Sequence, residues 1–406
     1  MEKVFIAKSN IFIWKNKDKV LFYDSDGQHK AKIYALNKFS SALCDRLCNP
    51  KNLYSVEFEH DSADDSLANF AEALVDDGFG RIADVEKAKH IISLPPLLNI
   101  QKAWDFIKTA DVSAGSQILQ YLKSLTIYVG GRSGNSQWYR QTIYPTNSDE
   151  VLVKDDIINF VNKAWSNHIT EISLVFSSIG DYIEIDDLIK GLSKYGGKIK
   201  ICLTSEDAYE NMNAVQKIVG NSNFGLVFLH SGDNYYFPAA CPKERLKRIY
   251  LIQSEGEYKK ASESCEKYSD IDQDFIPVYN GHNSEFFRKN VLLTESEILD
   301  SFLSKREIFL HMAVNTNYFG KLTALPDRTV HADVNRPAIG TMDDSIYRLI
   351  SNEMEANTAW RMTREFFRSC RNCLLRFLCP SPSSYENVMK LECICSDKIG
   401  GETRNT

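Results

Sequence analysis

Cys370-x2-Cys373-x5-Cys379, followed by Cys393-x-Cys395, places five of the chain's ten cysteines in one short stretch. Thiolates are soft ligands, and a CxxC pair with further cysteines close behind is the spacing of a zinc or iron–sulfur site. Four thiolates would hold either a cubane iron–sulfur cluster or a tetrahedral zinc. Cys370, Cys373 and Cys379 supply three ligands. The fourth is Cys393 or Cys395, because two cysteines one residue apart reach a single metal only through a tight loop. Cys44, Cys48, Cys202, Cys241 and Cys265 are scattered and read as small buried hydrophobes or inert thiols.

Other residues invite chemistry less specifically. Gly130-Gly131-x-x-Gly134 follows an apolar run, as phosphate-binding glycines do, but no Lys-Ser/Thr follows it. Asp181, Glu206, His230, Asp233, Gln253 and Glu255 stand just after strand-like runs, and His230 with Asp233 has the makings of an acid–base pair. The competing reading makes them turn and cap residues, with Ser205-Glu206-Asp207 an N-cap followed by first-turn acids. Trp138-Tyr139-Arg140 and Tyr235-Tyr236-Phe237 suit a peptide channel or a packed lid.

The elements that must position these residues fall into three stretches. Residues 1–92 begin with strand-forming runs at Ile11–Trp14, Val20–Tyr23 and Ala31–Ala35, with Asp26-Gly27 as a hairpin turn. A helix over Asn37–Cys48, a strand over Tyr54–Phe58 and a helix over Ser66–Asp76 follow. Three strands with helices in this length predict a small winged-helix-like module. It carries 13 Lys plus Arg against 15 Asp plus Glu, a net of −2, which excludes the basic face that DNA demands. An extended peptide added to a sheet edge is the better fit. Leu94-Pro95-Pro96-Leu97 marks a junction, followed by a helical connector, Ile100–Leu122.

Residues 93–310 alternate apolar runs with helical patterns. The runs are Leu125–Val129, Ile172–Phe176, Ile199–Leu203, Leu226–Leu229, Arg248–Ile252 and Phe275–Val278. The helices are Asp155–Ala164, Ile185–Ser193, Asn211–Ile218 and Glu257–Tyr268. Continuous apolar strands between helices predict an α/β fold with a parallel sheet, a partial (β/α)6 barrel. Residues 311–406 predict a hairpin around Pro326-Asp327, helices over Asp343–Glu355 and Ala359–Phe367, then the cysteines and a frayed Gly400–Thr406. A net charge of −6, 43% apolar residues and no long apolar stretch predict a cytoplasmic protein without signal peptide or membrane span.

A winged-helix-like module, a six-unit β/α barrel and a C-terminal cysteine domain, in that order, resemble radical S-adenosylmethionine (SAM) peptide maturases of the SPASM class. The SPASM pattern includes CX2CX5CX3C, here Cys370, Cys373 and Cys379 with Ser383 where the fourth cysteine would stand. Phe309–Asn335 contains no cysteine where the early pair belongs. The resemblance implies one auxiliary 4Fe-4S cluster, the outer one, with zinc as the alternative occupant. The loop after Leu125–Val129 lacks the CX3CX2C of the SAM-cleaving cluster, and Ser177-Ser178-Ile179 replaces the GGE motif that binds the methionine amine. The SAM site is thus degenerate at Gly130, Gly131, Ser177, Ser178 and Ile179, and no SAM is expected. Trp360–Glu386 is especially similar to pseudo-radical-SAM proteins of GG-Bacteroidales-type peptide modification systems. The implied function is that of an accessory protein in the maturation of ribosomally made peptides. It would bind a precursor leader and a partner radical SAM maturase, but neither DNA nor membrane. The alternatives are an enzyme working through a remodelled barrel site and a structural zinc protein in a peptide-binding assembly.

Overall fold

The computed structural model describes residues 2–26, 30–59, 66–88, 91–97, 115–131, 137–232, 242–266 and 269–396. Gly27 of the expected hairpin turn, most of the Ile100–Leu122 connector, Gly134, Asp233, Tyr235–Phe237, Cys241, Tyr268 and Gly400–Thr406 lie outside the described residues. Among the described residues no helix is long and apolar enough to cross a membrane.

The described residues form sixteen strands: β1 Glu2–Ala7, β2 Ile11–Lys15, β3 Lys19–Asp24, β4 Ala31–Ala35, β5 Ser55–Glu59, β6 Gly80–Asp84, β7 Ser124–Gly131, β8 Ser148–Val151, β9 Glu171–Phe176, β10 Ile199–Thr204, β11 Gly225–Ser231, β12 Leu246–Ile252, β13 Asp272–Pro277, β14 Lys321–Ala324, β15 Thr329–His331 and β16 Gly340–Thr341. The first six form two antiparallel three-stranded sheets, ordered β5-β1-β6 and β2-β3-β4. The expected runs Ile11–Trp14, Val20–Tyr23, Ala31–Ala35 and Tyr54–Phe58 all become strands, and two more that the sequence does not announce, Glu2–Ala7 and the short, mixed Gly80–Asp84, join them, with β1 the central strand that pairs with both β5 and β6. Helix Lys38–Cys48 starts where Asn37 accepts hydrogen bonds from the Phe39 and Ser40 amides. With helix Ser66–Asp76 it buries Leu43, Cys44, Leu47, Ala71 and Leu74 against the sheets. β4 is tied down by Asp77, whose carboxylate takes hydrogen bonds from Tyr34 and, at 2.6 Å, from Lys32.

The large sheet has the order β13-β12-β11-β10-β9-β7-β14-β15-β16, with β8 also on β7. β7 and β9–β13 are the six expected strands, parallel and in chain order. They alternate their side chains between two cores. Leu125, Ile127, Ile172, Leu174, Ile201 and Phe228 face the helical layer. Tyr128, Val175, Cys202, Val227, Ile249 and Leu251 face the opposite side. The hairpin β14–β15 does not stand apart, because β14 pairs in parallel with β7 and continues the sheet. Gly320 makes this approach possible. It has φ +79° and would place a Cβ 2.6 Å from the Tyr121 carbonyl.

Ala359–Phe367 was expected to be one helix. Only the short 3-10 turn Arg364–Phe366 forms. The Glu353 carboxylate accepts from the amides of Ala359 and Trp360 at 2.8 and 2.7 Å, which gives this backbone side-chain partners in place of helical ones.

The β2-β3-β4 sheet packs on the cysteine-bearing segment. Phe12, Trp14, Leu21 and Tyr23 share one core with Ile298, Ile308, Leu374, Phe377 and the cysteines. Trp14 lies 5.6 Å from Phe377 and Phe12 the same distance from Phe309, ring to ring. Tyr23 donates to the Leu303 carbonyl at 2.9 Å and accepts from the Leu303 amide at 2.7 Å. Trp14→Ala is expected to cost about 3 kcal/mol, and Tyr23→Phe about 1 kcal/mol or somewhat more. Urea unfolding checks both, and a Trp14→Ala midpoint equal to the wild type would overturn this account of the contact.

Candidate functional site

The cysteine segment is folded by turns. Phe367 starts the short helix Arg368–Arg371 that carries Cys370. The Cys373 amide donates to the Cys370 carbonyl at 2.9 Å, and the Cys379 amide to that of Leu375 at 2.8 Å. Cys395 returns from the far end by pairing in parallel with Leu293, where the Ser396 amide donates to the Leu293 carbonyl. The result is that all five thiols share one core, four buried and Cys373 partly so. Sequence reasoning named these five, and the tertiary fold draws them together from three turns of chain.

Their electrostatics are those of a crowded thiol patch. The neighbouring Cys393 thiol pulls Cys370 down to about 6, with Ser369 and Arg364 acting the same way against burial, while the Cys393 thiol itself donates to the Cys395 carbonyl at 3.7 Å. Cys393 is pushed up correspondingly. Burial pushes Cys379 up to about 12, although Arg364 opposes it. Arg364, 2% exposed, forms a two-pronged ion pair with Glu386, 3% exposed, and its Nε donates to the Pro380 carbonyl at 2.8 Å. A buried guanidinium beside thiols favours their anionic form. The donor set therefore fits a soft metal or an iron–sulfur cluster in chemistry and charge. Among the described residues, however, no three His, Cys, Asp or Glu side chains form a ready-made metal cage, so ligation would need the thiols to close in.

Ser383, standing where the family pattern has a cysteine, has a structural task. It is the N-cap of helix Ser384–Met389, and its amide donates to Glu386 at 2.9 Å.

The end of β7 and the residues after β9 pack against residues 146–151. β8 pairs antiparallel with Gly130 and Gly131 at a bulge, and a Cβ on Gly130 would lie 2.0 Å from the Glu150 carbonyl. Ser177 donates to the Thr146 carbonyl at 2.8 Å. Ile179 is buried, and its amide donates to the Asp207 carboxylate at 3.0 Å. Glu206 and Asp207 are first-turn acids of helix Ser205–Glu210 as expected, but Thr204, not Ser205, caps it, and Asp207 is buried beneath the β9 loop with Asn211 bonded to it at 2.8 Å. The absence of an acid at position 179 was visible in the sequence; the carboxylate arriving from after β10 was not.

Among the described residues the strand-end polar groups do not converge into a catalytic group. His230 is 1% exposed, stacks on Tyr250 and accepts from Arg248 Nε at 3.2 Å, while its expected partner Asp233 lies outside the described residues. Glu255 pairs with Lys289 on the surface, Gln253 accepts from Asn280, and Asp181 and Glu206 are exposed. Trp138 is packed against Tyr144 at 5.0 Å, whereas Tyr139 and Arg140 border an open cavity. The isolated thiols behave as expected where described. Cys44 and Cys202 are buried and pushed up to about 12, chiefly by burial.

No protein-family model and no curated protein matches the chain. Among solved structures, SuiB of Streptococcus suis bound to precursor peptide SuiA aligns with a TM-score of 0.44 at 10% identity, over 95% of this chain and 97% of that one. anSMEcpe with bound AdoMet and Cp18Cys peptide gives 0.39 at 13% identity, over 66% and 96%. BtrN in an open conformation gives 0.33 at 8%, over 62% and 92%. Likeness at this level transfers no residue role.

Two outcomes test this site. Glu386→Leu would strand a buried guanidinium and is expected to cost about 3 kcal/mol or more, with Arg364→Met on the same chain recovering part of the loss. An additive double variant in urea unfolding would overturn the pairing. Burial raises the Asp207 pKa in the folded state, with hydrogen bonds from Ile179 and Asn211 opposing. The native state thus holds that proton more tightly than the unfolded chain. Its contribution is most favourable below the unfolded value of about 3.9 and is lost as pH rises through the folded value. Asp207→Asn should flatten that part of the stability–pH curve, and an unchanged slope would refute the assignment.

Proposed function

We propose that this chain is an accessory protein in the maturation of a ribosomally made peptide, related to radical SAM maturases of the SPASM class but without SAM-cleaving chemistry. It would bind a precursor leader through the winged-helix-like unit of residues 1–92. It would carry one 4Fe-4S cluster in the domain of residues 311–406, behind a degenerate partial barrel of residues 93–310. Its partner would be a catalytically complete radical SAM maturase.

The observation that carries this reading is the gathering of Cys370, Cys373, Cys379, Cys393 and Cys395 in one core beside the buried Arg364 guanidinium. Cys370, Cys373, Cys379 and either Cys393 or Cys395 would be the ligands, and a bound cluster would supply one-electron transfer. Cys393 shares the buried core with Cys370 and the two thiols shift one another's pKa, which favours Cys393 as the fourth ligand. The filled loop after β9, with Ile179 bonded to Asp207, supports the reading that SAM does not bind there. The sheet that would meet the leader lies directly on the cysteine core, which suits a protein that couples peptide binding to its metal site.

Anaerobic purification with iron, sulfide and zinc analysis tests the cluster. About four iron and four sulfide per chain are expected, and one zinc without sulfide would overturn the cluster in favour of a structural metal. Cys373→Ala is expected to abolish the bound metal, and unchanged stoichiometry would sink the ligand set. Tight SAM binding in calorimetry would contradict the degenerate site.

A further inference from the structure

We propose that the cavity between β7, β13, β14 and the turn at Ser383–Tyr385 binds the carboxylate of an acidic side chain that alternates with apolar side chains along an extended peptide. The cavity encloses ≈ 460 Å³, within the range of specific ligand sites. Two cations border it, Lys321 on β14 and Arg140 on the turn after Trp138. Lys321 is exposed as a residue, yet desolvation by the surrounding protein lowers its ammonium pKa. Glu171 acts on it from a distance, but that carboxylate is already ion-paired with Lys200. Arg140 lies over the Tyr139 ring at 5.9 Å. Among the described residues neither cation has a carboxylate at ion-pair distance.

The one carboxyl in the wall, Asp333, does not neutralise them. It is 4% exposed and accepts from the Asn335 amide, the Asn335 side chain and the Asn387 side chain at 2.9, 3.1 and 3.3 Å. Those bonds hold its own loop and tie it to helix Ser384–Met389. Two unpaired cations in a partly desolvated cavity favour an anion, and the phenolic walls of Tyr128, Tyr318 and Tyr385 favour an organic one.

The neighbouring surface points to a peptide. Phe275 and Pro277 of β13 also border a second cavity of ≈ 390 Å³, where Tyr258, Phe286 and Val291 make an apolar wall. Successive side chains of an extended chain point to opposite sides. A segment crossing the β13 lip could therefore place a carboxylate in the first cavity and an apolar side chain in the second. That the carboxylate belongs to a peptide rests on the function proposed above; the charge of the cavity does not.

Calorimetry on the full chain tests this with the probe acetyl-Gly-Leu-Glu-Leu-Gly-amide, its Gln counterpart and glutarate. The Glu peptide should bind saturably, about tenfold or more tighter than the Gln peptide. Lys321→Met and Arg140→Met should each weaken the Glu peptide about tenfold and leave the Gln peptide unchanged. Arg140 is exposed, so its variant keeps the test decisive if Lys321→Met folds poorly. Equal affinities for the Glu and Gln peptides, or no heat up to roughly 1 mM, would overturn the proposal. Glutarate binding as tightly as the Glu peptide would reduce the site to a small-anion pocket and overturn the peptide assignment. Metal analysis of the same preparation separates failure here from failure of the cluster assignment, since the short probe contains no leader and no ligand cysteine.

Discussion

The buried pair Arg364–Glu386 is the constraint around which the C-terminal third is organised. A guanidinium and a carboxylate at 2% and 3% exposure persist only if their remaining donors and acceptors are filled. Arg364 fills its Nε on the carbonyl of Pro380, one residue past Cys379. Glu386 also accepts from the Ser383 amide and so starts helix Ser384–Met389. That helix reaches back to the large sheet, with Ser384 donating to the Gln141 carbonyl and Tyr385 to that of Pro277. One ion pair thus sets the end of the cysteine run, places a positive charge beside its thiols and builds a wall of the cationic cavity.

A second dependence runs between the chain's two ends. The aromatic face of β2 and β3 would be an exposed hydrophobic patch if the first unit stood alone. It is covered by Phe309, Phe377 and the cysteine turns. The thiols in turn owe part of their burial to that sheet. A movement that closed the thiols around a metal would be felt at Phe377 and hence at Trp14.

Much of this was legible in the residue pattern. All six parallel strands stood out because continuous Val, Ile and Leu runs are needed where a strand is covered on both faces, and the four helices between them showed their apolar stripes. β1, β6 and β8 did not stand out, because short or mixed runs become strands only when a neighbour completes their hydrogen bonds. Asp207 shows the same limit at the level of one side chain. Its position after Ser205 and Glu206 fits a first-turn acid, which it is, but only the β9 loop above it makes it a buried acceptor. The Ala359–Phe367 stretch failed as a helix because a single distant carboxylate, Glu353, supplied its amides with other partners.

The sequence by itself determined which chemistry is available: five clustered thiols, no cysteine in the loop after β7, no acid at Ile179 and an acidic first unit. These are matters of residue type, and no fold can change them. Tertiary structure alone decided which of them meet. It packed the first unit on the cysteines, set Arg364 beside them, joined β14 to β7 and left Lys321 and Arg140 bordering one cavity with no carboxylate at ion-pair distance among the described residues. Such pairings join residues tens to hundreds of positions apart. Burial and charge balance are properties of that three-dimensional neighbourhood, and local spacing carries no record of it.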